Sequence, residues 1–186
     1  MNLSIISSFT IGSILMLALI KVNLGLFTNS MNSMNDQIAK VNISAIVTVL
    51  DHDFRKMGYG YSGSSLQEAT ASKISFMGDM NNNGTPERVT WELVKTQPVS
   101  ETTNPNDYLL MRTIQEGTGT AESTPIKMGV VTFELAYYDK LNNTTGDLSK
   151  VHRIDIKVKT ESVDPIGDDY MKATWQKKFY PLSISE

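Results

Sequence analysis

The sequence predicts an α+β fold in which one long N-terminal α-helix packs on an antiparallel β-sheet domain. Three observations predict it. Residues 1–27 are almost entirely apolar, residues 28–58 carry apolar side chains at helical spacing, and residues 59–186 consist of short alternating segments separated by turn-forming stretches. These ranges define an apolar helix of transmembrane length, its amphipathic continuation, and a globular antiparallel β-sheet domain.

The first segment is long enough to cross a membrane. No charged side chain occurs before Lys21, and about 20 apolar residues in a helix span roughly 30 Å, the thickness of a bilayer's hydrocarbon core. A cleaved signal peptide fits poorly, because residues 2–8 contain no basic side chain and the sequence around Lys21 is a poor cleavage site. The segment is therefore a membrane anchor or the first half of one longer helix.

The second segment favours the longer helix. Residues 28–57 contain no proline, and Gly58 after Arg55 and Lys56 is typical of a helix C-terminus. A helix from near Ser4 to Met57 would be about 80 Å long, with a weak patch at 23–30 where it could bend. The apolar residues recur at steps of three, four or five: Met31, Met34, Ile38, Val41, Ile46, Leu50, Phe54 and Met57.

The remainder reads as strands joined by turns. Alternation is clearest where Ile154, Ile156 and Val158 share one face, which predicts a sheet with one buried side covered by the amphipathic half of the helix. Trp91 and Trp175 fall on strand patterns and are expected in the core rather than on a binding surface. The predicted strands are 73–77, 88–94, 108–114, 130–138, 151–159 and 173–180.

Composition argues against several classes of function. The formal charge of −3 disfavours a nucleic-acid binder that neutralises phosphates. The absence of cysteine excludes disulfides, thiol catalysis and cysteine-ligated zinc. His52 and His152 lack partners for nucleophilic catalysis or zinc binding, and no phosphate-binding loop or nucleophile elbow is present. We therefore expect a protein that is not an enzyme.

One loop carries a possible metal site. It has oxygen-bearing side chains at alternating positions and Gly84 at the sixth, as in calcium loops of the EF-hand type, but Thr90 stands where the bidentate glutamate belongs. Asn-Gly between two strands is also a strong hairpin signal, so hairpin turn and weak calcium site remain alternatives. A second oxygen-rich loop, containing Asp164, Gly167, Asp168 and Asp169, reads as solvated. The candidate ligands of the first loop are Asp79, Asn81, Asn83, Thr85 and Glu87.

Short motifs, in the same order along the chain, resemble type IV pilins and type II secretion pseudopilins. Asp53-Phe-Arg-Lys-Met-Gly-Tyr59 resembles the Asp-x-Arg-x-Ala-Gly-Tyr segment that ends the long helix of W-type minor pilins and J-type pseudopilins. Ile74-Ser-Phe-Met-Gly-Asp-Met-Asn-Asn-Asn-Gly84 with Arg88-Val-Thr-Trp-Glu-Leu93 resembles their next hairpin. Leu110-Met-Arg112 and residues 129–139 resemble later strands.

The resemblance implies a pilin-like fold and a structural subunit that polymerises through its N-terminal helix into an extracellular type IV pilus-like filament. The subunit would insert in the inner membrane, form a homopolymer with itself, and end as a filament on the cell surface. Partners would be the assembly machinery: a prepilin peptidase, a platform protein and an ATPase. Gly12 with Ser8 and Ser13 would allow close helix approach. The expected filament-core contacts are Met1, Ile5, Ser8, Phe9, Gly12, Ile14 and Leu17.

Two features depart from that family. No prepilin leader is visible, which is explained if the chain is the mature form with Met1 as its first residue. Ile5 occupies the place where most pilins have a glutamate that pairs with a neighbour's terminal ammonium. Without that carboxylate the ammonium must bind hydroxyls or carbonyls, and the candidates are Ser4, Ser7, Ser8 and Thr10. Such hydroxyls more often bond the carbonyl one turn back.

Two alternatives stay open from the sequence. One is a minor pseudopilin of a type II secretion system, which shares the fold and the mode of assembly. The other is a monomeric membrane-anchored binding domain. A tether needs no continuous helix beyond the bilayer, whereas a filament core does, so the continuity of the helix discriminates between them.

Overall fold

The computed structural model describes residues 3–100, 102–165 and 169–181, without the side chains of Leu3 and Pro98. Met1, Gly167 and Asp168, which figure in the expectations above, lie outside these ranges. The elements are α1 (Leu3–Arg55), β1 (Leu66–Ala69), β2 (Lys73–Gly78), β3 (Glu87–Pro98), β4 (Tyr108–Glu116), β5 (Glu122–Ile126), β6 (Val130–Tyr138), a 3₁₀ turn (Leu148–Lys150), β7 (Arg153–Glu161) and β8 (Lys172–Phe179).

The predicted long helix is confirmed. α1 runs for 53 residues without interruption, including the weak patch at 23–30, and spans about 80 Å. It ends at Arg55, and Gly58 follows in the left-handed region at φ +82°, which glycine adopts without steric cost. The Gly58 N–H donates to the Met77 carbonyl at 2.8 Å, so the helix end is hydrogen-bonded directly to β2.

The strands form two antiparallel sheets rather than one. The first has the order β1-β2-β3-β4-β5 and the second the order β6-β7-β8. All six predicted strands are present with ends shifted by a few residues, and β1 and β5 are additional. The chain leaves the first sheet after β5 and enters the second at Gly129, which has φ +71°.

Both sheets share one core with the C-terminal part of α1. Phe54 lies between them, with its ring centroid 5.2 Å from that of Phe76 on β2 and 5.1 Å from that of Phe179 on β8. Trp91 and Phe133 are fully buried in the same cluster. The expectation that the amphipathic part of the helix covers the sheets is therefore confirmed.

The packed part of α1 begins later than Met31, the first of the apolar residues that recur at helical steps. No described residue from 4 to 38 is buried, and contact with the sheets starts at Ala39. Met31, Met34 and Val41 are exposed. The five-residue step from Val41 to Ile46 explains this, because it rotates the next side chain by about 140° around a helix of 3.6 residues per turn. The apolar residues up to Val41 and those from Ile46 onward therefore lie on two different faces of the helix.

Gly129 gives a test of the junction between the sheets. A Cβ there would collide with the Glu161 carbonyl oxygen, whose position is fixed by the adjoining strand, and the positive φ adds strain. We expect Gly129→Ala to lower the free energy of unfolding by at least about 2 kcal/mol, measured by thermal melting in detergent. Gly146→Ala is the control, since its Cβ meets no atom within 4 Å; equal losses in both variants would contradict this account.

Candidate functional site

The most prominent feature of the molecule is the bare apolar half of α1. The helix is long and apolar enough to cross a membrane by length and composition, and none of its most apolar 18-residue window is buried in the protein. Large apolar side chains project on all sides, including Ile5, Phe9 and Leu17. Exposed apolar surface of this extent is stable only when lipid or protein covers it.

The predicted filament contacts that the structure describes are all exposed but do not share one face. Ile5, Ser8, Phe9 and Gly12 follow the spacing i, i+3, i+4 and i+7 and therefore lie together on one side of the helix. Ile14 and Leu17 project from other sides. A Cβ on Gly12 would meet no atom of the chain within 4 Å, so this glycine leaves a shallow groove into which a neighbouring helix can pack. Met1 lies outside the described residues.

The hydroxyls near the start of the helix bond their own backbone. The Ser8 Oγ donates to the Ser4 carbonyl at 2.8 Å, and the Thr10 Oγ1 donates to the Ile6 carbonyl at 2.9 Å. Ser7 donates to the same Ser4 carbonyl at 3.3 Å. This is the local bonding expected of serine and threonine in an apolar helix, and it gives these hydroxyls acceptors within the helix itself.

A buried ion pair fastens the helix to the five-stranded sheet. Asp53 is 0% exposed. Its carboxylate accepts hydrogen bonds from Arg112 Nε at 2.7 Å, Arg112 Nη2 at 2.8 Å and Trp91 Nε1 at 2.9 Å. Trp91 and Arg112 are direct cross-strand partners on β3 and β4. A buried carboxylate needs such a set of donors, and the paired geometry fixes both the rotation and the height of α1 on the sheet.

The sequence carries a signal for this network that analysis of helix and strand periodicity alone does not detect. Asp53 falls between Leu50 and Phe54 on the apolar face of α1, where a charged residue requires a buried partner of opposite charge. An arginine on the apolar face of a strand, as between Leu110 and Ile114, is a suitable partner. Arg112 matches that description.

A second ion pair links α1 to the three-stranded sheet. The carboxylate of Asp51 accepts a short hydrogen bond from Lys177 on β8, and a second from Arg55 Nε at 2.7 Å. Partial burial raises the pKa of Asp51, but the hydrogen bonds and charges of Lys177 and Arg55 outweigh it, so the pKa lies below its ordinary value. The charged form of Asp51 is therefore the form that the folded state stabilises.

This ion pair should make stability depend on acid pH. Because the pKa of Asp51 is lower in the folded state, its contribution is complete above the unfolded pKa and is lost as the pH falls through the folded pKa. At neutral pH we expect Asp51→Asn to cost up to about 1 kcal/mol, and we expect wild type and variant to converge as the pH falls from neutral to below the lowered folded pKa of Asp51. Unfolding free energies measured across this range check it; a gap that stays constant would contradict it.

The Asp79 loop is a hairpin between β2 and β3, as one of the two interpretations predicted. The Asp79 carboxylate accepts the backbone N–H groups of Asn83 at 3.1 Å and Gly84 at 2.9 Å. Glu87 accepts from the Met80 N–H at 2.7 Å and from Asn81 Nδ2 at 2.6 Å. Asn83 Oδ1 accepts from the Thr85 N–H at 2.7 Å. The carboxylate oxygens of Asp79 and Glu87 and the Asn83 amide oxygen thus already accept hydrogen bonds.

A cation from the chain itself also binds this loop. The Lys56 ammonium donates to the backbone carbonyls of Met80 at 2.7 Å and Asp79 at 3.2 Å, and to Asn82 Oδ1 at 2.9 Å. Among the described residues, no group of three His, Asp or Glu side chains is arranged to hold a metal. Calcium binding at this loop stays a prediction of the sequence.

Calcium titration tests that prediction directly. Because Asp79 and Glu87 are engaged with N–H donors, we expect millimolar calcium or a chelator to leave the melting temperature of the full chain unchanged in detergent. A rise with calcium that disappears in Asp79→Asn would establish the site instead. Asp164→Asn, on the other oxygen-rich loop, is the control for general effects of charge.

The remaining candidates do not converge on a reactive centre. His152 is exposed, and its ring centroid lies 5.8 Å from that of Tyr180 in an edge-to-face arrangement. His52 lies beside Asp53. Asp164 accepts a hydrogen bond from the Thr103 hydroxyl at 3.0 Å. An open groove of about 780 Å³ on the three-stranded sheet is lined by residues that include the ion-paired Glu134 and Lys157.

No model of a known protein family matches the sequence, and no curated protein is detectably similar to it.

Proposed function

We propose that this chain is a structural subunit that inserts in the inner membrane and then polymerises through α1 into an extracellular type IV pilus-like filament. The observation that carries the proposal is the continuity of α1: one uninterrupted helix has an uncovered apolar half and a second half packed into the core of a folded domain. The resemblance of the helix end and of the following strands to minor pilins and pseudopilins supports the same function.

The mechanism follows from the two environments that an apolar helix can occupy. Before assembly, lipid covers residues 3–27, with the Lys21 ammonium extending toward the polar headgroups. On assembly the helix leaves the lipid and enters a bundle of identical helices. Close packing at small residues such as Gly12 and Ser8 then replaces its contacts with lipid. The sheets form the outer layer and their loops make the lateral contacts.

The segment between the apolar half and the core favours a filament over a simple tether. Residues 28–38 extend the helix by about 16 Å, and none of them is buried. They are rich in Asn, Ser and Thr, which are weak helix formers, and a short exposed helix of this composition is marginal alone. Contacts with neighbouring subunits would supply the missing stabilisation, whereas a tether would need no helix here.

Electron microscopy of sheared surface material tests the proposal. Cells that express the chain are sheared, the released fraction is examined by negative stain, and its mature N-terminus is determined by mass spectrometry. We expect thin filaments that contain this chain. A chain found solely as monomers in the membrane fraction, in cells that hold a complete assembly machinery, would contradict the proposal and favour the membrane-anchored binding domain.

A further inference from the structure

We infer that two copies of the chain pair in parallel and in register through a second apolar face of α1, in the membrane and before any filament forms. The inference rests on the membrane-inserted state of the proposed function and names a partner for it. We call this face the seam. It consists of Leu17, Ile20, Leu24, Phe27, Met31, Met34, Ile38, Val41 and Ala45.

The spacing of the seam is that of a coiled coil. Successive members are three and four residues apart in strict alternation, the a and d positions of a heptad repeat, with Leu17 at the first a position. All nine are exposed, and the eight larger side chains range from 39% exposed at Ile38 to 67% at Leu17. A heptad seam that stays apolar over nine positions is typical of a helix that packs on another helix.

The sheets leave the seam free. The helix residues that face the core include Ala39, Ile43, Ile46 and Leu50, which are the b and f positions of the same heptads. Those positions lie on the side of a helix away from a and d. A second helix can therefore pack along the seam without meeting the domain of its own chain.

Part of the seam lies beyond the reach of lipid. The apolar segment ends at Phe27, and the next residues include Asn29, Ser30, Asp36 and Lys40, so Met31 to Ala45 stand in water when residues 3–27 span the bilayer. Lipid covers the first half of the seam, whereas the hydrophobic effect acts on the second half. That half requires a protein partner.

The residues beside the seam favour an identical copy. From residue 28 to 44 the flanking e and g positions are uncharged: Thr28, Ser30, Asn35, Gln37, Asn42 and Ser44. Along residues 28–44 two identical helices therefore meet no like-charge repulsion, and this part of the seam carries no charge pattern that would select a different partner. Lys21, at an e position nearer the N-terminus, is the charged residue beside the seam. The nearby charges of Asp36 and Lys40 lie at f and c positions and pair with each other at 2.6 Å.

The membrane supplies orientation and concentration. Two copies inserted the same way are necessarily parallel, and confinement to one bilayer raises their effective concentration. The water-exposed part of the seam spans about two heptads, which is short for a free coiled coil, but it continues directly from the membrane-embedded part. In-register pairing also differs from filament packing, in which neighbouring subunits must be displaced along the axis to form a polymer that grows.

Single-cysteine crosslinking tests the pairing, because the natural chain has no cysteine. Met34→Cys and Val41→Cys place thiols at d positions, and Ser33→Cys and Lys40→Cys place them at exposed c positions as controls. Full-length chains in membranes of cells that lack the assembly ATPase are oxidised with copper phenanthroline and resolved on non-reducing gels. We expect dimer bands on the order of tenfold stronger for the d positions, whose Cβ atoms face each other in a parallel pair.

Three results would overturn the inference: equal crosslinking at d and c positions, no crosslinking at either, or crosslinking of the seam solely to a protein of different mass. Adding Val41→Asp to Met34→Cys should remove the dimer band, whereas adding Ser33→Asp should not. Electron microscopy of wild-type filaments tests the proposed function independently of the crosslinking. Filaments without d-position crosslinks would reject the seam and retain the proposed function, and crosslinks without filaments would do the reverse.

Discussion

Replacing Asp53 with alanine should destabilise the folded domain by about 3–5 kcal/mol, the cost of leaving one partner of a buried ion pair without the other. The substitution removes the acceptor for Arg112 and for the Trp91 indole together. The apolar half of α1 stays helical in detergent whatever happens to the sheets, so the measurement must report on the core. Tryptophan fluorescence, from Trp91 on β3 and Trp175 on β8, does so during thermal melting, and we expect the midpoint to fall by about 10 °C or more.

Two further variants distinguish the loss of this ion pair from the general effect on stability of removing an acidic side chain. Asp51→Ala removes a partly exposed carboxylate two residues away on the helix, and it should cost no more than about 1 kcal/mol. The double variant Asp53→Leu/Arg112→Leu removes both charges. It should lose less stability than Asp53→Leu and Arg112→Leu lose in total, because no buried charge remains unpaired. Similar losses for Asp51→Ala and Asp53→Ala would refute the role assigned to Asp53.

The helix and six of the eight strands could be predicted because their apolar residues repeat with clear periods. The missing strands lack that signal. β5 is exposed except at its last residue, Ile126, and contains Pro125 at the edge of its sheet, so its polar residues read as a turn. β1 has four residues, of which Leu66 is buried. The division into two sheets depends on the path of the chain through Gly129, and no periodicity reports it.

The sequence located the apolar half of the helix but not the use of its faces. A list of apolar residues at helical steps merges the core face with the seam, because both consist of residues three and four apart. The five-residue step from Val41 to Ile46 was the available signal, and burial was needed to show that the face changes there. Asp53 was likewise recognised as part of a motif, whereas its pairing with Arg112 depends on strand register.

Lysine in the apolar half of α1 should abolish filaments while the domain stays folded. Gly12→Lys or Ile14→Lys places a charge near the centre of the span, which costs about 3 kcal/mol in a bilayer and several kcal/mol in an apolar bundle without a partner. Both sites are far from the sheets, so the melting midpoint of the sheet domain, followed by tryptophan fluorescence, should be unchanged. Electron microscopy of sheared material measures the loss of filaments, and alkaline extraction measures whether the chain remains in the membrane.

The pair of positions also shows how the helix is surrounded. Gly12 and Ile14 are two residues apart and point about 200° apart around the axis, so a helix enclosed by neighbours should tolerate lysine at neither. Gly12→Ala, which adds a methyl group without charge, should weaken assembly less than Gly12→Lys. Ser33→Lys, on the polar stretch of helix beyond the apolar half, should impair filaments less than Gly12→Lys, because a charge among polar residues costs less than one in an apolar bundle. Normal filaments from Gly12→Lys and Ile14→Lys chains that remain in the membrane would reject a core built from this helix, because the charge would then have to lie in water.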